Sequence, residues 1–383
     1  MRYQWRLTPS NKQGLAEVSS LRARCAAFYL PQFHPIPEND AQWGEGFTEW
    51  TNVRKAKPLF PGHRQPIEPG ELGYYDLRDP MVRARQAELA RENGISGFIY
   101  WHYWFNGRRL LERPFNEVLA SGEPDFPFCL AWANESWTGV WHGNPGQTIM
   151  EQTYNGPEEE ERHFRALLPA FLDKRYMRVD GKPIFMVYAP FSLPDAQGLI
   201  DHWNRLAQAN GLPGIYFIAL KNNKRRDDRT SMAFDATSTL APSGRDLPLM
   251  SRITNRIQQA LQPLGVSQKR KTPAIHDYRL AVARNAKAPP WGRYTYPTVF
   301  SNWDNTPRSG VNGLVYRNWT KELFAKQLDD AIRSVEDREF DKRLVLIRSW
   351  NEWAEGNILE PDRENGDLVL RTIREVVTSP GRD

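Results

Sequence analysis

Eight near-continuous apolar runs, many of them separated by segments of helical period, constrain this 383-residue chain more than any other feature. They cover 25–34, 95–105, 126–137, 184–190, 214–220, 234–241, 296–303 and 344–350. A strand with one wet face alternates apolar and polar residues. A strand covered on both faces does not, and runs of this kind mark a parallel sheet packed between layers. The intervening segments carry helix signals. Asp79-Pro80 supplies an N-cap and a first-turn proline, and Asn93-Gly94 stops the helix that follows. Residues 158–172 and 199–209 also read as helices, and Thr320 opens another before the eighth run. This order predicts an α/β fold, a (β/α)8 TIM barrel. A doubly wound sheet is the alternative, but no Gly-x-Gly-x-x-Gly follows the first run.

Two stretches exceed a minimal barrel. Residues 35–78, after strand one, are rich in proline, glycine and aromatics; residues 243–295, between strands six and seven, are basic, with 253–261 as a candidate helix. Loops this long usually wall or cover a site, and both leave from the C-terminal ends of strands, where barrel sites form. The expected organisation is an N-terminal extension over 1–24 and one catalytic domain over 25–378 carrying both insertions.

The strands run from aliphatic residues into aromatic and polar ones. Strand one ends in Tyr29, Gln32 and His34; strand two in Trp101, His102, Tyr103 and Trp104; strand three in Trp132, Asn134 and Glu135. Strand seven ends in Trp303, and the first long loop brings Trp43, Glu49 and Trp50. With 14 Trp, 14 Tyr and 18 Phe, the chain is rich in rings whose negative faces suit the C–H faces of pyranoses. These residues, with Asn351 and Trp353, are the expected sugar-binding set. The plainer readings are core histidines for His34 and His102, a cap or ion-pair partner for Glu135, and a backbone-satisfying amide for Asn134.

The last strand leads into Trp350-Asn351-Glu352-Trp353-Ala354-Glu355-Gly356. Two carboxylates three residues apart among indoles suit glycoside cleavage, in which one acid stays neutral to donate a proton while the other acts as base or nucleophile. The competing reading is a helix N-terminus capped by Asn351, with the glutamates complementing the dipole.

Other classes fit poorly. A net charge of +5 with no stripe or motif argues against nucleic acid, so that an anionic glycan or a membrane surface is a better partner than DNA and a merely solvated basic face is the plainer reading. Cys25 and Cys129 make neither a disulfide scaffold nor a zinc set. No metal or cofactor motif is present: His-Glu-x-x-His, the phosphate-binding Gly-x-x-x-x-Gly-Lys-Ser/Thr and Asp-x-Asp are all missing. No apolar run approaches 18 residues and no signal-like segment follows Met1, so a cytoplasmic protein without membrane spans is expected.

Three motifs carry a resemblance. Tyr29-Leu30-Pro31-Gln32-Phe33-His34-Pro35, Gly44-Glu45-Gly46-Phe47-Thr48-Glu49-Trp50-Thr51-Asn52-Val53 and Trp350–Gly356 resemble the WbsX-like family, commonly labelled a glycosyltransferase of surface-polysaccharide synthesis and related to glycoside hydrolase family 99. The resemblance spans about 25–375. It implies a (β/α)8 barrel and retaining chemistry on an α-linked glycan through a 1,2-anhydro sugar. Glu352 would then be the base that deprotonates the sugar 2-hydroxyl, and Glu355 the acid/base. Ala354 stands where the hydrolases often have His. The resemblance leaves two enzymes in view, a hydrolase of surface polysaccharide and a transferase of O-antigen or capsule synthesis. A carbohydrate-binding protein without catalysis is the third reading.

Overall fold

The computed structural model describes residues 21–138, 148–221, 233–239, 272–285 and 294–380. The barrel consists of β1 (Arg24–Tyr29), β2 (Ile95–Phe105), β3 (Phe128–Trp132), β4 (Lys182–Val187), β5 (Tyr216–Lys221), β6 (Ala236–Thr239), β7 in two pieces (Thr295–Tyr296 and Thr298–Phe300) and β8 (Leu344–Arg348). All neighbours pair in parallel, in chain order from β1 to β6, and β8 returns to lie beside β1. The ring closes through β7. Its first piece pairs with β6 (Thr237↔Thr295) and its second with β8 (Thr298↔Leu346). The change of partner falls at Pro297, which has no N–H to offer a ladder, although its carbonyl still accepts from Leu346 N at 3.0 Å. The architecture is the expected (β/α)8 barrel.

The helices begin where their caps dictate. Asp79 Oδ1 accepts from Met81 N at 2.9 Å ahead of helix Pro80–Glu92, and Thr320 Oγ1 accepts from Leu323 N ahead of helix Lys321–Arg333. Helix Ala196–Ala209 starts three residues before its apolar pattern, because Asp195 accepts from Gly198 N at 2.9 Å. Among the described residues no helix is long and apolar enough to cross a membrane. Cys25 and Cys129 are buried free thiols.

The 35–78 stretch, expected as a loop, contains helices Pro37–Trp43 and Glu49–Lys55. The second starts at Thr48, whose N–H donates to Thr51 Oγ1 at 3.2 Å. Thr51 takes the place of the usual Glu or Gln, so the capping-box pattern is hidden in the sequence. This stretch is tied down at the barrel mouth. His63 Nδ1 accepts from Leu59 N at 3.0 Å, which leaves Nε2 to donate to Asp304 Oδ2 at 2.8 Å. Gln65 Nε2 donates to the same oxygen at 2.8 Å.

Of the second insertion, strand Ala274–Asp277 and helix Tyr278–Asn285 are described, the strand lying parallel to Leu314–Arg317. The candidate helix at 253–261, the basic residues Arg245, Arg252, Arg256, Lys269 and Arg270, and residues 1–20 of the expected N-terminal extension lie outside the described residues.

Strand alternation organises the rest. Side chains of a barrel strand point in turn to the lumen and to the outer helices. In β2, Trp101, Tyr103 and Phe105 line the cavity at the mouth. Tyr100, His102 and Trp104 instead meet Phe115, His163 and Glu159 of the outer helices.

Candidate active site

Beyond β8 the chain makes a tight hairpin, Asn351–Glu352 antiparallel to Asn357–Ile358, around the turn Trp353–Glu355. Gly356 closes it with φ +58°, and a Cβ there would lie 3.0 Å from the Asp304 backbone nitrogen. The space is needed because Asp304 N donates to Glu355 O at 2.7 Å, joining the end of β7 to the turn. The glutamates therefore do not sit at a helix N-terminus, and Asn351 is not a cap. Its amide clamps β1 instead: Oδ1 accepts from Leu30 N at 2.7 Å, and Nδ2 donates to Leu30 O at 3.0 Å.

Both glutamates are buried at the floor of a cavity of about 130 Å³ at the C-terminal ends of the barrel strands. Glu352 Oε1 accepts from Trp101 Nε1 at 3.2 Å and Ser349 Oγ at 3.1 Å. Glu355 accepts from Arg308 Nη1 at 2.8 Å and from Arg348 Nη2 at 3.3 Å. Glu49 Oε1 accepts from the other arm of Arg308 at 2.7 Å and from Ala354 N, within the turn, at 3.0 Å. Arg348 lies over the Trp303 ring, 4.6 Å from its centroid.

Three carboxylates thus share two guanidiniums, and one proton makes the cluster neutral. Burial, reinforced by the charge of Glu352, pushes Glu355 up to about 8 even against Arg308 and Arg348. Burial also acts to raise Glu352, but Arg348, a hydrogen bond from Glu355, Arg308 and the Trp101 indole outweigh it and hold Glu352 below the ordinary range. The pair titrates as a unit, with the shared proton on Glu355 at neutral pH. Glu49 is raised by burial, with Arg308 opposing.

Of the residues expected to bind sugar, Gln32, Glu49, Trp101, Tyr103 and Glu135 line this cavity with the two glutamates. The others stand elsewhere. Tyr29, Trp104 and Trp132, expected as walls beside Trp101, point outward by strand parity. Tyr29 OH donates to Gln86 Oε1 at 2.7 Å, the Trp104 indole donates to Glu159, and Trp132 packs edge-on against His163. His102 lies 2.8 Å from His163, nitrogen to nitrogen, and burial keeps both imidazoles neutral. Asn134 satisfies backbone, exchanging hydrogen bonds with Ala189 N and O. His34 is buried with Nδ1 3.1 Å from Pro31 O.

Trp50 and Trp353 pack together behind the turn, 5.3 Å apart, while Trp303 supports Arg348. Trp43 is half-buried at the rim, 6.4 Å from the lining residue Trp137. Arg308, Arg348, Tyr188 and Trp137 also line the cavity and were not expected. Parity counted from Trp101 along β2 separates lumen from helix side in the sequence. Nothing there marks Arg308, which enters from the short helix Thr306–Ser309 after β7. Asp180, Glu339 and Asp341 are the described acids grouped closely enough to hold an ion, and none of them lines the cavity.

Residues 25–373 match the family model described as Glycosyltransferase WbsX. The chain belongs to the WbsX family. Two similar relatives are each named "Uncharacterized protein WxcX", both from Xanthomonas campestris pv. campestris. One, from strain B100, is 37% identical over 369 residues, covering 94% of this chain and 50% of the relative. The other, from strain ATCC 33913, is 37% identical over 374 residues, covering 95% and 51%. This WbsX-family chain thus spans about half the length of the curated relatives it matches. Its fold resembles a "Glycoside hydrolase-like protein" (TM-score 0.56, 15% identity, 98% of each chain). It also resembles a GH99 endo-α-mannosidase from Bacteroides thetaiotaomicron (TM-score 0.50, 17% identity, 92% of this chain and 96% of that one). At these identities the likeness concerns the barrel.

Proposed function

We propose that this WbsX-family chain is a retaining glycoside hydrolase acting on an α-linked bacterial surface polysaccharide or a related glycan. One observation carries the reading: two buried glutamates in one cavity, their proton affinities driven in opposite directions. Retaining chemistry is what the resemblance to the WbsX-like family implies for this pair.

In the proposed reaction, ionised Glu352 takes the proton of the sugar 2-hydroxyl while O2 attacks the anomeric carbon. The glycosidic C–O bond breaks, and its oxygen takes the proton of Glu355. Water then gives a proton to Glu355 and attacks the anomeric carbon. As the anhydro ring opens, O2 recovers its proton from Glu352. Arg308 and Arg348 steady Glu355 as it alternates between neutral and charged, and Trp101 steadies Glu352. Trp101, Tyr103 and Trp137 offer faces for the C–H side of a pyranose.

The family's description supports a second reading, a glycosyltransferase of O-antigen or capsule synthesis using the same pair. One experiment separates them. The protein is incubated with the polysaccharide of its source, with and without nucleotide sugars, and products are resolved by mass spectrometry. New reducing ends without a nucleotide support the hydrolase. Elongation dependent on a nucleotide sugar, with calorimetric binding of a nucleoside diphosphate, replaces it with the transferase.

A further inference from the structure

Behind the glutamate turn, on the side away from the cavity, lies a third buried carboxylate that the reaction above does not use. Glu360 is 2% exposed and does not line the cavity. Its Oε2 accepts from Trp353 Nε1 at 2.6 Å and from Tyr75 OH at 2.9 Å, and its Oε1 accepts from Gln86 Nε2 at 2.6 Å. Trp353 stands between Glu352 and Glu355 in the chain. Tyr75 OH also accepts from Asn351 Nδ2 at 3.3 Å, so the residue before Glu352 is held by the same group. The turn is gripped on both flanks of Glu352 through one carboxylate.

Every group facing Glu360 gives it a proton to accept. Trp353 comes from the turn, Tyr75 from the 35–78 stretch and Gln86 from helix Pro80–Glu92, and the Trp350 side chain likewise favours the ionised form. Tyr29 of β1 holds Gln86 in orientation through Gln86 Oε1. The nearby cation, Arg83, is spent on Leu77 O and Glu117, and no cation pairs with Glu360 among the described residues. An ionised carboxylate satisfies three donors, whereas a protonated one must find an acceptor of its own. Gln86 Oε1 is already taken by Tyr29. Tyr75 OH can accept from a protonated Glu360 only by ceasing to donate to it.

We propose that Glu360 is a positioning residue for the glutamate pair: its ionised carboxylate fixes Trp353 and Asn351, and so sets Glu352 against Glu355, while its protonation loosens the turn. The role rests on the glycosidase reading of that pair. Burial, opposed by Trp353, Gln86 and Tyr75, pushes Glu360 up to about 7, so the hold is complete above that pH and is lost below it. With Glu355 required in its neutral form, activity then falls on both sides of a narrow window near neutrality.

The test uses the whole chain and the variants Glu360→Gln and Trp353→Phe. In the first, a permanently neutral amide imitates protonated Glu360; in the second only the indole N–H is lost, which serves if the first does not fold. On an oligosaccharide that the unmodified protein cleaves, each variant should lower kcat about tenfold, within the usual range for displaced catalytic groups, with KM nearly unchanged. The acid limb near pH 7 should vanish from the Glu360→Gln profile. A substrate-free arm keeps this separate from the glycosidase reading. The Trp353 indole ¹⁵N–H resonance should shift as the pH falls through about 7, and Glu360→Gln should abolish the shift. Full kcat in both variants, or an acid limb that survives Glu360→Gln, overturns the proposal, as does an indole resonance that ignores pH between 5.5 and 8.5. If no glycan is turned over but the indole titrates as described, the glycosidase reading fails while the hold of Glu360 on the turn stands.

Discussion

Replacing Glu355 by Gln should make the protein more stable and less active, and the gain should grow with pH. Glu355 is raised from an ordinary value of 4.5 to about 8. The sign follows from proton binding. Between these values the folded chain holds a proton that the unfolded chain has released, so folding loses stability as pH rises through this window. Each pH unit is worth about 1.4 kcal/mol, and 2.5 units separate 4.5 from pH 7, giving a ceiling of about 3 kcal/mol. Because Glu352 shares the proton, about 1–3 kcal/mol is expected. Gln keeps an oxygen for Arg308 Nη1, as the protonated acid does, and gives up only the longer 3.3 Å contact with Arg348. For a chain of this length the gain corresponds to about 1–4 °C in Tm at pH 7. Thermal melts of both proteins from pH 4.5 to 8.5 should show equal Tm at the acid end and a widening gap above it. Meanwhile kcat should fall about 10²–10⁴-fold, the usual worth of a general acid. A gap independent of pH, or a variant less stable throughout, refutes the assignment of the proton to Glu355.

Three further outcomes follow from the same geometry. Glu352→Gln removes the charge that raises Glu355; kcat should fall about 10²–10⁴-fold, and the Glu355 titration, read by carboxylate NMR, should move down towards the ordinary range. Arg308→Met leaves Glu49 and Glu355 buried without their shared cation, and urea denaturation should record a loss of about 3–5 kcal/mol; a loss below 1 kcal/mol would deny the pair its structural role. Trp101→Phe should weaken oligosaccharide binding and reduce kcat, whereas Trp132→Phe should leave the calorimetric affinity unchanged, because Trp132 faces the helices; equal effects would contradict the parity of the strands.

Much of the fold is legible along the chain, and for one reason. The apolar runs, the Asp79-Pro80 and Thr320 starts and the Asn93-Gly94 stop are local signals, and each coincides with an observed boundary or lies a few residues from it. Boundaries slipped where a less obvious cap intervened, as Asp195 and Thr48 did. The doubly covered strands hide their own parity. His102 and Tyr103 look equally apt for a sugar, yet one meets His163 and the other the cavity. The same blindness made Tyr29, Trp104 and Trp132 look like cavity walls.

The sequence by itself determined the barrel order and the Glu352–Glu355 spacing, because strand periodicity and a three-residue turn are properties of neighbouring residues. Which acid keeps the proton was decided only by tertiary structure. That outcome depends on Arg348, which ends β8 just before the turn, and on Arg308 and Trp101, which arrive from distant segments of the chain. The influence of the last two is a matter of distance and burial, and closure of the barrel brings them within hydrogen-bonding range of one buried turn.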